Sequence, residues 1–141
     1  MARALRRRVP ELARSVSVTT RPPRLGERRD VHYRFVSAAQ FQQLRRRGGF
    51  VEWARVHGAC YGTPKVPIQR ALAAGRDVLL SIDVHGASQL RRRFGTQAVL
   101  IFVLPPSWQD LRRRLASRRT ETPDAIRRRL RTARKDRKSV V

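Results

Sequence analysis

The sequence is poor in cysteine, histidine and acid, and each shortage excludes something. One cysteine, Cys60, leaves no internal disulfide and no thiolate cluster for a structural zinc, and it reads as an ordinary loop residue in a reducing compartment. His32, His57 and His85 have no Cys, Asp or Glu pattern around them that would make a triad or a metal site, so polar packing is their expected role. No run of about 18 apolar residues is present to span a bilayer, and the opening MARALRRRVPEL lacks the apolar stretch of a secretory signal. A cytoplasmic protein without a membrane partner is expected.

Against 10 acidic residues stand 33 basic ones, giving a net charge of +23 across 141 residues. Such an excess fits a phosphate-rich partner, nucleic acid included. Thirty of the bases are arginine, and many fall in triplets (6–8, 45–47, 91–93, 112–114, 127–129) within otherwise amphipathic segments. Adjacent residues on a helix point about 100° apart, so a triplet spreads charge around the helix and builds no single stripe. A solvated arginine surface is therefore the simpler reading, with only nonspecific nucleic-acid binding expected. Trp53 and Trp108 read as core or cover, because no aromatic series interleaves with the basic runs to stack bases.

With 40% apolar content, the chain is long enough for one core. Its signals alternate between short β-rich runs and amphipathic helices, which points to an α/β domain. Residues 1–8 read as the tail of a helix. Strands are expected at 15–20, 31–36 and 50–56, with a proline-bearing loop at 21–30 and a turn at 57–62. Ser37 is placed to cap a helix running to about Arg47, and Gly48 and Gly49 stop it. A helix over 64–74 leads to the apolar run 77–83, and a further helix to about Phe94 leads to a second apolar run, 98–104. Those two runs are expected to be buried strands flanking a right-handed crossover. Ser107, and Thr122 with Pro123, open two more helices.

Chemistry concentrates in a few segments. SVSVTTRPPRLGE, residues 15–27, sets Arg21 and Arg24 three apart in a rigid loop, where guanidinium forks suit phosphate or carboxylate. Asp83 ends an apolar strand, a position that serves equally as a helix N-cap and as a ligand site in an α/β sheet. Read together with VHYRFVS (31–37), FVEWARVHGACYGTP (50–64), LLSIDVHG (79–86) and RRTETPDAIRRRL (118–130), these segments occur in the order found in guanylate kinases, and the chain resembles that family from about residue 2 to 135.

The resemblance implies a P-loop nucleoside monophosphate kinase fold: a parallel core sheet, a small mixed β subdomain for GMP at 15–63, and a helical lid at 114–130, within a domain spanning 1–135. It implies phosphorylation of GMP by ATP with magnesium. Arg21, Arg24, Tyr33 and Tyr61 match the residues on the GMP phosphate; Ser17, Glu52 and Thr63 match those reading the guanine edge; Glu27 lies in the same acceptor loop. A carboxylate such as Glu52 can accept from guanine N1–H and the exocyclic amine together, which adenine does not offer. Asp83 resembles the carboxylate near magnesium. Arg118 and Arg129, with Arg114 as a third, match lid arginines on ATP, and Arg118, Arg129 and Asp83 are the expected catalytic set. No side-chain metal cluster is expected.

The departures bear on activity. No G-x-x-x-x-G-K-[ST] occurs, and the lysines, at 65, 135 and 138, never follow a glycine. The first strand and glycine-rich loop of the family, and its last strand and helix, are accordingly expected to be missing, leaving these 141 residues inactive alone. Residues 136–141, DRKSVV, break the resemblance and are expected to be an artefactual tail. Ser81 stands where the family has an acid near guanine, Cys60 replaces a tyrosine and Asp30 a glycine. Two other readings stay open: a catalytically dead guanylate-kinase-like binding module, and an arginine-rich nucleic-acid binder.

Overall fold

The computed structural model describes residues 2–117 and 122–140, in two compact units that divide after Ala98. The first unit opens with α1 (Ala2–Arg8), β1 (Ala13–Arg14), β2 (Val18–Thr19) and β3 (Arg34–Phe35). It continues through α2 (Ala38–Arg46), β4 (Phe50–Val56), β5 (Ala59–Pro64), α3 (Lys65–Ala73), β6 (Val78–Leu79) and α4 (Val84–Phe94). A parallel β1–β6 pair forms one small sheet, and a mixed sheet runs β3-β2-β5-β4, with β2 parallel to β3 and antiparallel to β5. This is the expected α/β layout, with a parallel pair and a mixed β subdomain.

Local chemistry accounts for the helix starts. Ser37 accepts from the Gln40 amide at 3.2 Å while the Gln40 side chain accepts from the Ser37 amide at 2.9 Å, a reciprocal capping box ahead of α2. Replacing Ser37 with Ala should cost about 1 kcal/mol, read as a melting temperature lower by roughly 4 °C; an unchanged midpoint would show that the cap adds nothing. Asp83 caps α4 by accepting from the Gly86 amide at 2.8 Å.

The bulky residues of β4 divide the core. Phe50 stacks on Phe41 of α2 with ring centroids 4.7 Å apart, and both join Val18, with Val36, Leu44 and Trp53 around them. Val51 goes to a second cluster, with Ile68 of α3 and Leu90 of α4. A bulge between Phe50 and Glu52 interrupts the pairing with β5. Beyond it Glu52, Ala54 and Val56, two residues apart, line one cleft.

Several expectations are corrected. The strands foreseen at 15–20 and 31–36 shrink to Val18–Thr19 and Arg34–Phe35; Asp30, in a left-handed conformation at φ 58°, begins the turn before Tyr33. The turn foreseen at 57–62 is only His57–Gly58. Both residues have positive φ (50° and 88°), a mirror-image two-residue turn that leaves Ala59–Pro64 free to pair as β5. Cys60 thus lies in a strand. The apolar run at 77–83 is a strand only at Val78–Leu79. Residues 98–104 form no strand, and no crossover joins them to β6: with no partner strand among the described residues, Val99 and Ile101 are 84% and 80% exposed.

The second unit holds α5 (Trp108–Ala116), capped by Ser107 through the Asp110 amide at 3.0 Å, and α6 (Pro123–Val140). Within it Leu115 is buried and the Arg134 guanidinium lies 5.6 Å from the Trp108 ring centroid. Residues 136–140 continue α6. No helix among the described residues is long and apolar enough to cross a membrane.

Candidate functional site

The mixed sheet and the segment after β6 enclose a cleft of about 170 Å³ lined by Ser17, Tyr33, Glu52, Ala54, Val56, Tyr61, Ser81, Ile82 and Asp83. Six of the residues singled out in the sequence converge here, Ser81 among them from the segment after β6. Ser17 precedes β2, Tyr33 precedes β3, Glu52 and Tyr61 come from the β4–β5 hairpin, and Asp83 comes from the entrance to α4. A larger hollow of about 390 Å³ beside α2, among Ala39, Gln42, Gln43, Arg46 and Arg47, carries no carboxylate, hydroxyl or aromatic side chain.

Glu52 is 5% exposed. Thr63, fully buried and directly opposite it in the β4–β5 register, donates its hydroxyl proton to Glu52 Oε1. Burial pushes the Glu52 carboxyl above its ordinary pKa; the Thr63 hydrogen bond opposes that and the nearby Asp83 charge adds to it. A buried carboxylate with one donor in place retains acceptor capacity, and its desolvation is offset when a ligand supplies further N–H donors.

At the tyrosine end, Arg21 is held from several sides. Its Nε donates to the Tyr61 hydroxyl at 3.2 Å, its Nη1 and Nη2 donate to the two oxygens of Glu27 at 2.9 and 2.8 Å, and Nη1 also reaches the Pro22 carbonyl at 2.7 Å. The guanidinium carbon lies 5.4 Å from the Tyr33 ring centroid, and the two tyrosine rings meet edge to face at 6.0 Å. The Glu27 hydrogen bonds raise the Arg21 pKa, and the same contact lowers that of Glu27. Glu27 also accepts from the Arg24 amide at 2.8 Å, closing the loop on itself.

Arg114, exposed on α5, and Arg129, half-buried on α6, belong to the second unit, and Arg118 falls outside the described residues. Ala54, Val56 and Ile82 were not singled out, although the two-residue spacing from Glu52 along β4 carries a signal for the first two. The Glu27–Arg21 fork is i,i+6 across a loop and has no periodicity to reveal it.

The chain matches the guanylate kinase family model over residues 3–140. It is 52% identical over 134 residues to a guanylate kinase of Thermobifida fusca (strain YX), covering 95% of this chain and 68% of the relative. It is 48% identical over 133 residues to one from Chelativorans sp. (strain BNC1), covering 94% of this chain and 61% of the relative. The crystal structure of guanylate kinase from Anaplasma phagocytophilum aligns at a TM-score of 0.73 and 35% identity, covering 81% of this chain and 61% of that one. The chain thus spans about two thirds of the length of the relatives it matches, and on this extent of identity and shared fold it belongs to the guanylate kinase family.

Proposed function

We propose that the protein to which these residues belong transfers the γ-phosphoryl group of ATP to GMP in the cytoplasm, and that the cleft is the GMP site. The observation that carries this is one buried carboxylate, Glu52, facing the same cleft as two tyrosines that meet a clamped arginine. Glu52, with Ser17 and Thr63 beside it, reads the donor edge of guanine. Arg21 and Arg24, with the Tyr33 and Tyr61 hydroxyls, take the phosphate, and Glu27 keeps the Arg21 fork aligned. In this reading 15–63 is the acceptor region and 114–130 the lid, whose Arg114, Arg118 and Arg129 act on the triphosphate.

Magnesium is usually held by one or two carboxylates, phosphates and water rather than by a cage of side chains. Asp83 at the cleft fits that demand, and no cluster of three potential metal-binding side chains occurs among the described residues. Bound with ATP, the ion would neutralise phosphate charge. Asp83 itself, held by the Gly86 amide, presents a fixed carboxylate beside the acceptor site.

Nucleotide-dependent melting tests the assignment. GMP should raise the unfolding midpoint more than AMP at equal concentration, because both carry the same phosphate and only the base edge differs. Equal shifts would show that +23 of charge, not Glu52, governs binding.

A further inference from the structure

Helix α4 touches the guanine-side strand in two unusual ways. The Gln89 carboxamide behaves as a short piece of neighbouring strand: its Nε2 donates to the Trp53 carbonyl at 2.7 Å, and its Oε1 accepts from the Trp53 amide at 3.2 Å. β4 is the edge of its sheet, so this one side chain satisfies both backbone groups of the residue after Glu52. One helical turn earlier, buried Gly86 lies directly beneath the Glu52 carboxylate. A Cβ at Gly86 would stand 2.5 Å from Glu52 Oε2, 3.1 Å from its Cδ and 3.4 Å from Asp83 Oδ1. The Gly86 φ is helical, so the glycine answers to space and not to backbone conformation.

We propose that Gly86 and Gln89 are positioning residues for the base-reading carboxylate: Gln89 fixes the β4 backbone against α4, and Gly86 leaves the gap in which Glu52 lies flat on the first turn of the helix. The proposal rests on the reading of Glu52 as the guanine contact. It gives α4 a double duty, because the same first turn holds Asp83 through the Gly86 amide. The clasp therefore fixes the two cleft carboxylates relative to one another. Neither residue lines the cleft, so their effect on a nucleotide passes through Glu52.

The test uses the 141-residue chain. Gln89→Met keeps most of the side-chain volume and removes both hydrogen bonds, and Gly86→Ala inserts the Cβ. Calorimetric titration with GMP and AMP should show the GMP:AMP affinity ratio falling on the order of tenfold in each variant while AMP affinity stays within about twofold, since a displaced carboxylate affects only the base that needs it. The Trp53 amide should exchange with solvent faster in Gln89→Met while the Phe41 amide is unchanged. In Gly86→Ala the carboxyl-carbon resonance of Glu52 should move. Folded variants that keep the wild-type ratio, or that lose GMP and AMP equally, would overturn the positioning role. If the wild-type chain shows no preference for GMP, the guanine reading itself has failed. The clasp is then judged by the two spectroscopic signals alone, and their constancy would refute it.

Discussion

Glu52→Gln should make the unliganded protein more stable at neutral pH and at the same time abolish its preference for GMP. The two effects share one cause. Burial holds the Glu52 carboxyl above its ordinary pKa, with the hydrogen bond from Thr63 opposing and the charge of Asp83 adding to the rise. A group whose folded pKa is raised contributes stability that is present below its unfolded pKa and lost as pH climbs through the folded one. Above that ordinary value Glu52 therefore opposes folding. A glutamine of the same shape still accepts the Thr63 proton and removes that opposition, so the apo midpoint should rise by roughly a few degrees at pH 7, and the gain should vanish toward the acid side. For GMP the change is adverse, because the amide turns an N–H toward guanine's N–H donors. The GMP:AMP ratio should fall by about two powers of ten, the scale on which buried hydrogen-bond mismatches discriminate substrates. A Gln variant that melts lower than wild type at pH 7, or still prefers GMP, would remove Glu52 from the role given to it.

How far the sequence foretold this site depends on the kind of signal. Strand β4 was legible to its ends, because Phe50, Val51 and Ala54 bury on a run bounded by Gly49 and a turn. The start of α2 was legible because Ser37 is a local cap. Strand β5 was not: Ala59–Pro64 contains glycine and proline, and only pairing to β2 and β4 on both flanks makes it a strand. Residues 98–104 failed in the opposite direction, with strong β propensity and no strand beside them among the described residues. Among site residues, Glu52 and Arg21 were visible through their motifs. The contacts that orient them, Thr63 to Glu52, Glu27 to Arg21 and Gln89 to Trp53, are pairings that no local pattern announces.

Coupled ADP release from the 141-residue chain should show no GMP-dependent turnover. Phosphoryl transfer depends on in-line positioning and on charge neutralisation at the β- and γ-phosphates, and in P-loop enzymes a glycine-rich backbone cradle and its lysine supply both. No such motif occurs in these residues. Joined to a strand and glycine-rich phosphate loop that supply such a cradle, the chain should gain turnover by several powers of ten. In that active form the two ends of the reaction should separate kinetically. Arg21→Ala removes the fork clamped by Glu27 and Tyr61, and should raise KM for GMP by about 100-fold. Arg118→Ala and Arg129→Ala should lower kcat more than they change KM if, as proposed, they act on charge that develops in the transition state. The Arg21–Glu27 pair also sets an acid limit. The Glu27 carboxyl is held below its ordinary pKa, so its stabilising contribution is present above that ordinary value and lost as pH falls through the lower folded one. GMP binding should weaken across that window in wild type, and Glu27→Gln should weaken it even at pH 7. Robust GMP-dependent turnover by the 141 residues alone would refute the dependence on the loop, and an inactive joined protein that still binds GMP would turn the assignment toward a binding module.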